Sequence, residues 1–213
     1  MLRAKFAERM SGIHKALVEG GQIIESAIQS ASQSIAKGKG SKKAVKYEHK
    51  TDELQDEIET LCFNLLSTQQ PVAGDLRLIS AALKIISDME RIGDLCRDLS
   101  LLSPEFSETM DTAKLLLMCE AASEMIRQGI NAFVTADATL AFQAIEGDSY
   151  VDSLFVETKA DLVKSVENHP NLAVSAMDFL LAAKIVERIA DHACGIAQWV
   201  IYALTGERKG AYG

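Results

Sequence analysis

Glu48 and Asp52, Glu90 and Asp94, Asp148 and Asp152, and Glu187 and Asp191 are four carboxylate pairs, each with a spacing of four residues. Residues four apart share a helix face, with roughly 5–6 Å between Cβ atoms, so each pair aims two carboxylates in one direction. Like charges at that spacing disfavour a bare helix by about 0.2–0.5 kcal/mol. A cation bridging them removes this cost and adds attraction. Two such pairs converging from neighbouring helices would suit a hard, oxygen-preferring ion such as magnesium, calcium, manganese or iron.

Acidic pairs also arise without function. A wholly helical chain with 30 acids among 213 residues would hold about four by chance, and this one holds nine. Five of them, including Glu53/Glu57, Glu120/Glu124 and Glu157/Asp161, read as solvated helix faces. The other four differ by their placement. Met89-Glu90-Arg91-Ile92-Gly93-Asp94 matches Val186-Glu187-Arg188-Ile189-Ala190-Asp191 at an offset of 97 residues. Glu48-x-x-x-Asp52 matches Asp148-x-x-x-Asp152 at an offset of 100. Paired motifs displaced by nearly the same distance indicate an internal duplication. Two readings stay open for them, metal ligands or salt-bridged acids. Leu76, Ile79, Leu83 and Ile86 form an apolar seam that Glu90 and Gly93 continue, so Glu90 lies at a bundle rim or is paired. Lys84 or Lys184 would be the cationic partner in the second reading. Arg91 and Arg188 directly follow each Glu and should point about 100° away, too far round the helix to neutralise it. His192 reads as a helix-surface or core histidine, or as a ligand or a support for one.

Other chemistry is missing. There is no Walker-type glycine loop, no Gly-x-Ser-x-Gly elbow and no His-Glu-x-x-His. None of the four histidines follows a Glu by three residues, so the Glu-x-x-His of di-iron bundles is absent. A non-enzymatic role is expected.

The elements that must position these acids are helices. Three prolines, 6% aromatic residues and abundant Ala, Leu, Ile and Glu favour helix over sheet. Breakers and periodicity predict six: the amino terminus to about Lys37, Ser41 to before Gln70-Pro71, Gly74 to Leu102, Ser107 to Thr135, Asp137 (as N-cap) to Asn168, and Leu172 to Thr205 with Gly206 as cap. Long helices with short turns pack antiparallel, so each trio reads as a three-helix bundle. The expected domains are residues 1–105 and 106–213.

A net charge of −8 and pI near 5.1 argue against nucleic-acid binding. No apolar run approaches the roughly 18 residues of a spanning helix, and the amino terminus lacks a signal-peptide core. Cys62, Cys96, Cys119 and Cys194 are scattered, which reads as buried thiols in a reducing cytoplasm. Lys37, Lys39, Lys42, Lys43, Lys46 and Lys50 cluster about the first turn, as a solvated turn or a docking patch for an acidic partner.

Gln70-Pro71-Val72-Ala73-Gly74-Asp75-Leu76-Arg77, with Leu83-Lys84-Ile85 and Glu90-Arg91-Ile92-Gly93-Asp94, resembles the first-half signature of the PhoU family. Glu187-Arg188-Ile189-Ala190-Asp191-His192-Ala193, with Val200-Ile201-Tyr202 and Thr205-Gly206, resembles its carboxy-terminal signature. The similarity covers essentially the whole chain. It implies an all-α fold of two tandem three-helix bundles. It also implies metal sites at Glu48, Asp52, Glu90 and Asp94, and at Asp148, Asp152, Glu187 and Asp191, since the family's motifs hold multinuclear clusters in some members. Divalent or trivalent iron, zinc, manganese, magnesium or calcium would be the ion. The implied role is a negative regulator of phosphate uptake and of the phosphate-starvation response. It would link the ATPase subunit of the phosphate ABC transporter to a phosphate-sensing histidine kinase, associating peripherally with the membrane through these partners. Dimerisation is left open. The alternative is a metal-binding helical protein, for metal buffering or metal-dependent activity, without phosphate signalling. The chain departs from the family pattern at Leu95, where His is usual, and at Asp98 and Gly195, where Asn is frequent. These departures bear on the metal site rather than on the fold.

Overall fold

A computed structural model of the chain describes residues 2–68, 71–106 and 108–207. Among these there are six long helices and no strand: α1 (Leu2–Lys37), α2 (Lys42–Thr68), α3 (Ala73–Leu102), α4 (Ala113–Thr135), α5 (Ala138–Asn168) and α6 (Ala173–Thr205). The sequence expectation of two three-helix bundles holds. Local chemistry explains the start of α5 and the end of α6. Asp137 caps α5 by accepting from Thr139 N at 2.8 Å. Gly206, at φ +78°, closes α6 in the left-handed region.

One start differs. The fourth helix begins at Ala113, not near Ser107, and Ser107, like Gln70 before it, lies outside the described residues. Ser103–Glu105 form a 3₁₀ turn instead, with Pro104 in it. The carbonyl of Phe106 then accepts from both Thr109 N and Met110 N. Asp111 Oδ1 accepts from Ala113 N at 3.0 Å and satisfies one of the donors that a helix start leaves free. Leu76, expected in the apolar seam, stays 43% exposed at the first turns of α3.

The helix contacts give a layered order. Among the described residues, α2 packs only on α1 and α3, and α5 only on α4, α6 and the short 3₁₀ turn before α6. Between them, α3 lies along α6 and α1 touches α4, so the four inner helices join the bundles through one continuous apolar core. Its fully buried side chains include Ile13, Ile24, Ile58, Ile85, Ile86, Met89 and Phe106. All four cysteines are buried and free, as expected, and burial pushes Cys62 and Cys119 up to about 12.

A small serine knot sets α2 against α3. The hydroxyls of Ser34 and Ser100 lie 2.8 Å apart, and Ser100 Oγ accepts from Ser41 N at 2.9 Å. The start of α2 is thereby pinned to the end of α3. Glu48, seven residues further along α2, is brought alongside Asp94 and Arg97.

Two carboxylate quartets as a candidate metal centre

Each flanking helix contributes one acidic pair, and the inner helix beside it contributes the other. On α2, Glu48 is only 9% exposed while Asp52 faces solvent. Glu90 and Asp94, on α3, are half-buried. Burial, then the charges of Glu48 and Asp94, push the Asp52 carboxyl above its ordinary value, so those three acids face one space. Glu90 is also raised, first by burial, with Arg91 opposing and Asp94 and Asp52 adding.

The expected isolation of Arg91 does not hold. Its Nε lies 3.6 Å from Glu90 Oε2 and its Nη1 3.6 Å from Asp94 Oδ2. Although adjacent Cα–Cβ bonds diverge, the long arginine side chain curls back along the helix. A second cation enters the quartet more deeply. Arg97 Nη1 stands 2.5 Å from Glu48 Oε1 and 3.3 Å from Asp94 Oδ1. The sequence held a signal for it, since Arg97 lies three residues beyond Asp94 and seven beyond Glu90, on the same face. His49 was also missed. Among the described residues, ligand atoms of Glu48, His49 and Asp52 gather within 4.8 Å of one another, on the exposed side of α2.

In the second half the four expected residues also meet. Burial first, then Asp152, Asp191 and Glu187, push the Asp148 carboxyl up to about 6. Asp191 rises through burial and Glu187. Lys184, one of the two lysines anticipated, pairs with Glu187, yet Glu187 Oε2 has no hydrogen bond of good geometry. Asp148 Oδ1 is buried without any partner. Four carboxylates with a single lysine leave an excess of negative charge and at least one lone acceptor, a donor set that suits a hard cation.

A polar contact also crosses between α3 and α6, the helices that carry the inner pair of each quartet. His192 Nδ1 lies 2.9 Å from Asp88 Oδ1, joining α6 to α3, and its charge, when present, also acts on Glu90. Nothing local in the sequence pairs residues 104 apart. A Cβ on Gly195 would come within 3.2 Å of Asp88 Oδ2, so glycine at that position leaves the aspartate its room.

The raised pKa of Asp148 has a definite sign for stability. An acid whose pKa is higher in the fold than its ordinary 3.8 stabilises the fold while protonated. That contribution is complete below about pH 4 and is lost as pH rises through about 6. In metal-free protein, Asp148→Asn should therefore raise the Tm at about pH 7.5 and leave it nearly unchanged at about pH 4. Thermal melts of both proteins at the two pH values check this; a Tm difference independent of pH would refute it.

The PhoU domain matches this chain twice, over residues 17–102 and 115–200. Curated relatives include the phosphate-specific transport system accessory protein PhoU homologs of Aquifex aeolicus and of a Burkholderia species. The first is 29% identical over 95% of this chain and 94% of its own length; the second is 24% identical over 96% and 91%. Two solved structures share the fold. PhoU from Pseudomonas aeruginosa superposes with a TM-score of 0.87 at 24% identity, covering 95% of this chain and all of the other. The phosphate transport system regulatory protein PhoU from Streptococcus pneumoniae superposes with a TM-score of 0.88 at 20% identity, covering 96% and 99%. With both matched segments falling on the two helical trios, the chain belongs to the PhoU family.

Proposed function

We propose that this protein is a negative regulator of phosphate uptake and of the phosphate-starvation response. It acts without catalysis, as an adaptor between the ATPase subunit of a phosphate ABC transporter and a sensor histidine kinase. The observation that carries this reading is the double PhoU match, together with relatives named as accessory proteins of phosphate-specific transport. Three features agree with it. No described helix is long and apolar enough to cross a membrane, so contact with a transporter would be peripheral. The net charge of −8 disfavours nucleic acid as the partner. Lys37, Lys39, Lys42, Lys43, Lys46 and Lys50 are all exposed around the α1–α2 turn, where an acidic partner surface could dock.

In cells lacking this protein and grown in abundant phosphate, a phosphate-starvation reporter should be switched on, and the intact gene should return it to low output. A reporter that stays low without the protein would refute the regulator reading.

A bound metal belongs to the same proposal. The second quartet, Asp148, Asp152, Glu187 and Asp191, fits a hard cation through the unpartnered Asp148 oxygen. The first quartet, Glu48, Asp52, Glu90 and Asp94, fits one poorly, because Arg97 already stands between Glu48 and Asp94. The same carboxylates support the alternative, a metal-binding helical protein without a signalling role. That alternative gains if metal is bound stoichiometrically while the reporter is indifferent to the gene.

A further inference from the structure

The internal duplication allows the quartets to be compared residue for residue. At the offset of 97 that relates Glu90 to Glu187 and Asp94 to Asp191, Arg97 corresponds to Cys194 and Asp98 to Gly195. The cation of the first half therefore has no counterpart in the second. Arg97 is held on three sides. Its Nη1 meets Glu48 from α2 and Asp94 from α3, while its Nε and Nη2 donate to Asp98 Oδ1 at 3.2 and 3.0 Å. A planar guanidinium with five donors can satisfy several carboxylates at once, and it keeps its charge at any physiological pH.

The second half offers a neutral thiol at that place. Cys194 is buried, its sulfur 3.5 Å from Gln198 Nε2, and Gly195 supplies no carboxylate that could hold a cationic side chain. Lys184, whose counterpart is Ser87, pairs with Glu187 of this quartet and is itself 50% exposed. Its Nζ also lies 5.6 Å from the Phe155 ring centroid, so this lysine is held at the rim, and no guanidinium stands between the carboxylates as Arg97 does in the first half.

We propose that Arg97 is a built-in cation. Its guanidinium occupies the space between Glu48 and Asp94 in which a metal ion would otherwise bind, so the first quartet is closed to metal and the second is open. This rests on the reading of the quartets as metal sites. A metal ion entering the first quartet would have to displace the guanidinium from Glu48 and Asp94, and would then meet it as a like charge. The same repulsion bears on the outer trio of Glu48, His49 and Asp52, because it shares Glu48 with Arg97.

The full-length chain, stripped with chelator and titrated with Mn²⁺ alone, tests this by the bound metal counted after gel filtration. Asp152→Asn should abolish most Mn²⁺ uptake, whereas Asp52→Asn, its counterpart in the first half, should leave it as in the intact chain. Arg97→Ala should roughly double the bound Mn²⁺ by opening the first quartet, and adding Asp52→Asn to it should remove the gain. Where Arg97→Ala does not fold by circular dichroism, Arg97→Gln takes its place, keeping bulk while losing charge. The proposal is overturned if Asp52→Asn alone lowers uptake as much as Asp152→Asn. It is equally overturned if a folded Arg97 variant gains no Mn²⁺. An intact chain that binds no Mn²⁺ defeats the metal reading of the second quartet separately, and the Arg97 variant still decides the first.

Discussion

Phe106→Ala is expected to destabilise the protein by about 3–5 kcal/mol, the cost of a large aromatic lost from a packed interior. Phe106 is fully buried although it lies in the connection between the bundles. Its ring meets Phe179 of α6 edge to face, with centroids 5.1 Å apart and planes at 73°, an arrangement that adds to the area term. Its carbonyl also closes the turn at Thr109 and Met110, and that backbone role survives truncation. The loss is therefore a packing loss, concentrated where the first bundle hands the chain to the second. Phe106→Leu, which refills most of the volume, should cost only about 1 kcal/mol. Urea unfolding of the two variants measures the difference. Equal midpoints for Phe106→Ala and the intact chain would show that the connection is not anchored through this ring.

Gly93→Val is expected to cost about 3 kcal/mol and to open the first quartet as well. Gly93 sits on α3 between Glu90 and Asp94, facing Thr51 of α2. A Cβ there would stand 2.5 Å from Thr51 Oγ1, and valine adds two further methyl groups. Thr51 cannot easily yield, since it is fully buried and its hydroxyl donates to the Glu48 carbonyl at 2.7 Å. The helices must move apart, which separates Glu48 and Asp52 from Glu90 and Asp94. Thr51→Ala in the same chain removes the clashing oxygen, so the double variant should recover most of the stability. Additive losses in the double-mutant cycle would rule out this contact as the cause. The duplicated half has Ala190 and Val151 at the equivalent places, so the close approach through glycine and threonine belongs to the first half alone.

Much of the architecture was legible in the residues. Proline, glycine and capping aspartate act on their own backbone, so the ends near Lys37, Leu102, Asp137 and Gly206 could be read without knowing what packs where. The fourth helix starts at Ala113, later than its residues alone suggest, for a physical reason. Asp111 and the carbonyl of Phe106 organise that turn, and Phe106 is held there by Phe179, some 70 residues away in sequence, a contact no local pattern announces. The acidic quartets were legible because four-residue spacing fixes a helix face and the duplication repeats it.

What the sequence determined by itself is therefore the six helices, their grouping into two trios and the eight carboxylates, all consequences of local periodicity and internal repetition. Only the tertiary structure decided what those carboxylates face. Helical period places Arg97 on the same side as Asp94, but whether its guanidinium reaches solvent or Glu48 depends on how α2 is pinned to α3 through Ser100. Likewise the partnership of His192 with Asp88, the curl of Arg91 onto Glu90 and the lone oxygen of Asp148 all arise from the register between helices. That register is set by close packing at contacts such as Gly93 on Thr51, summed over the whole interface, and a single stretch of chain carries too little of it to be read.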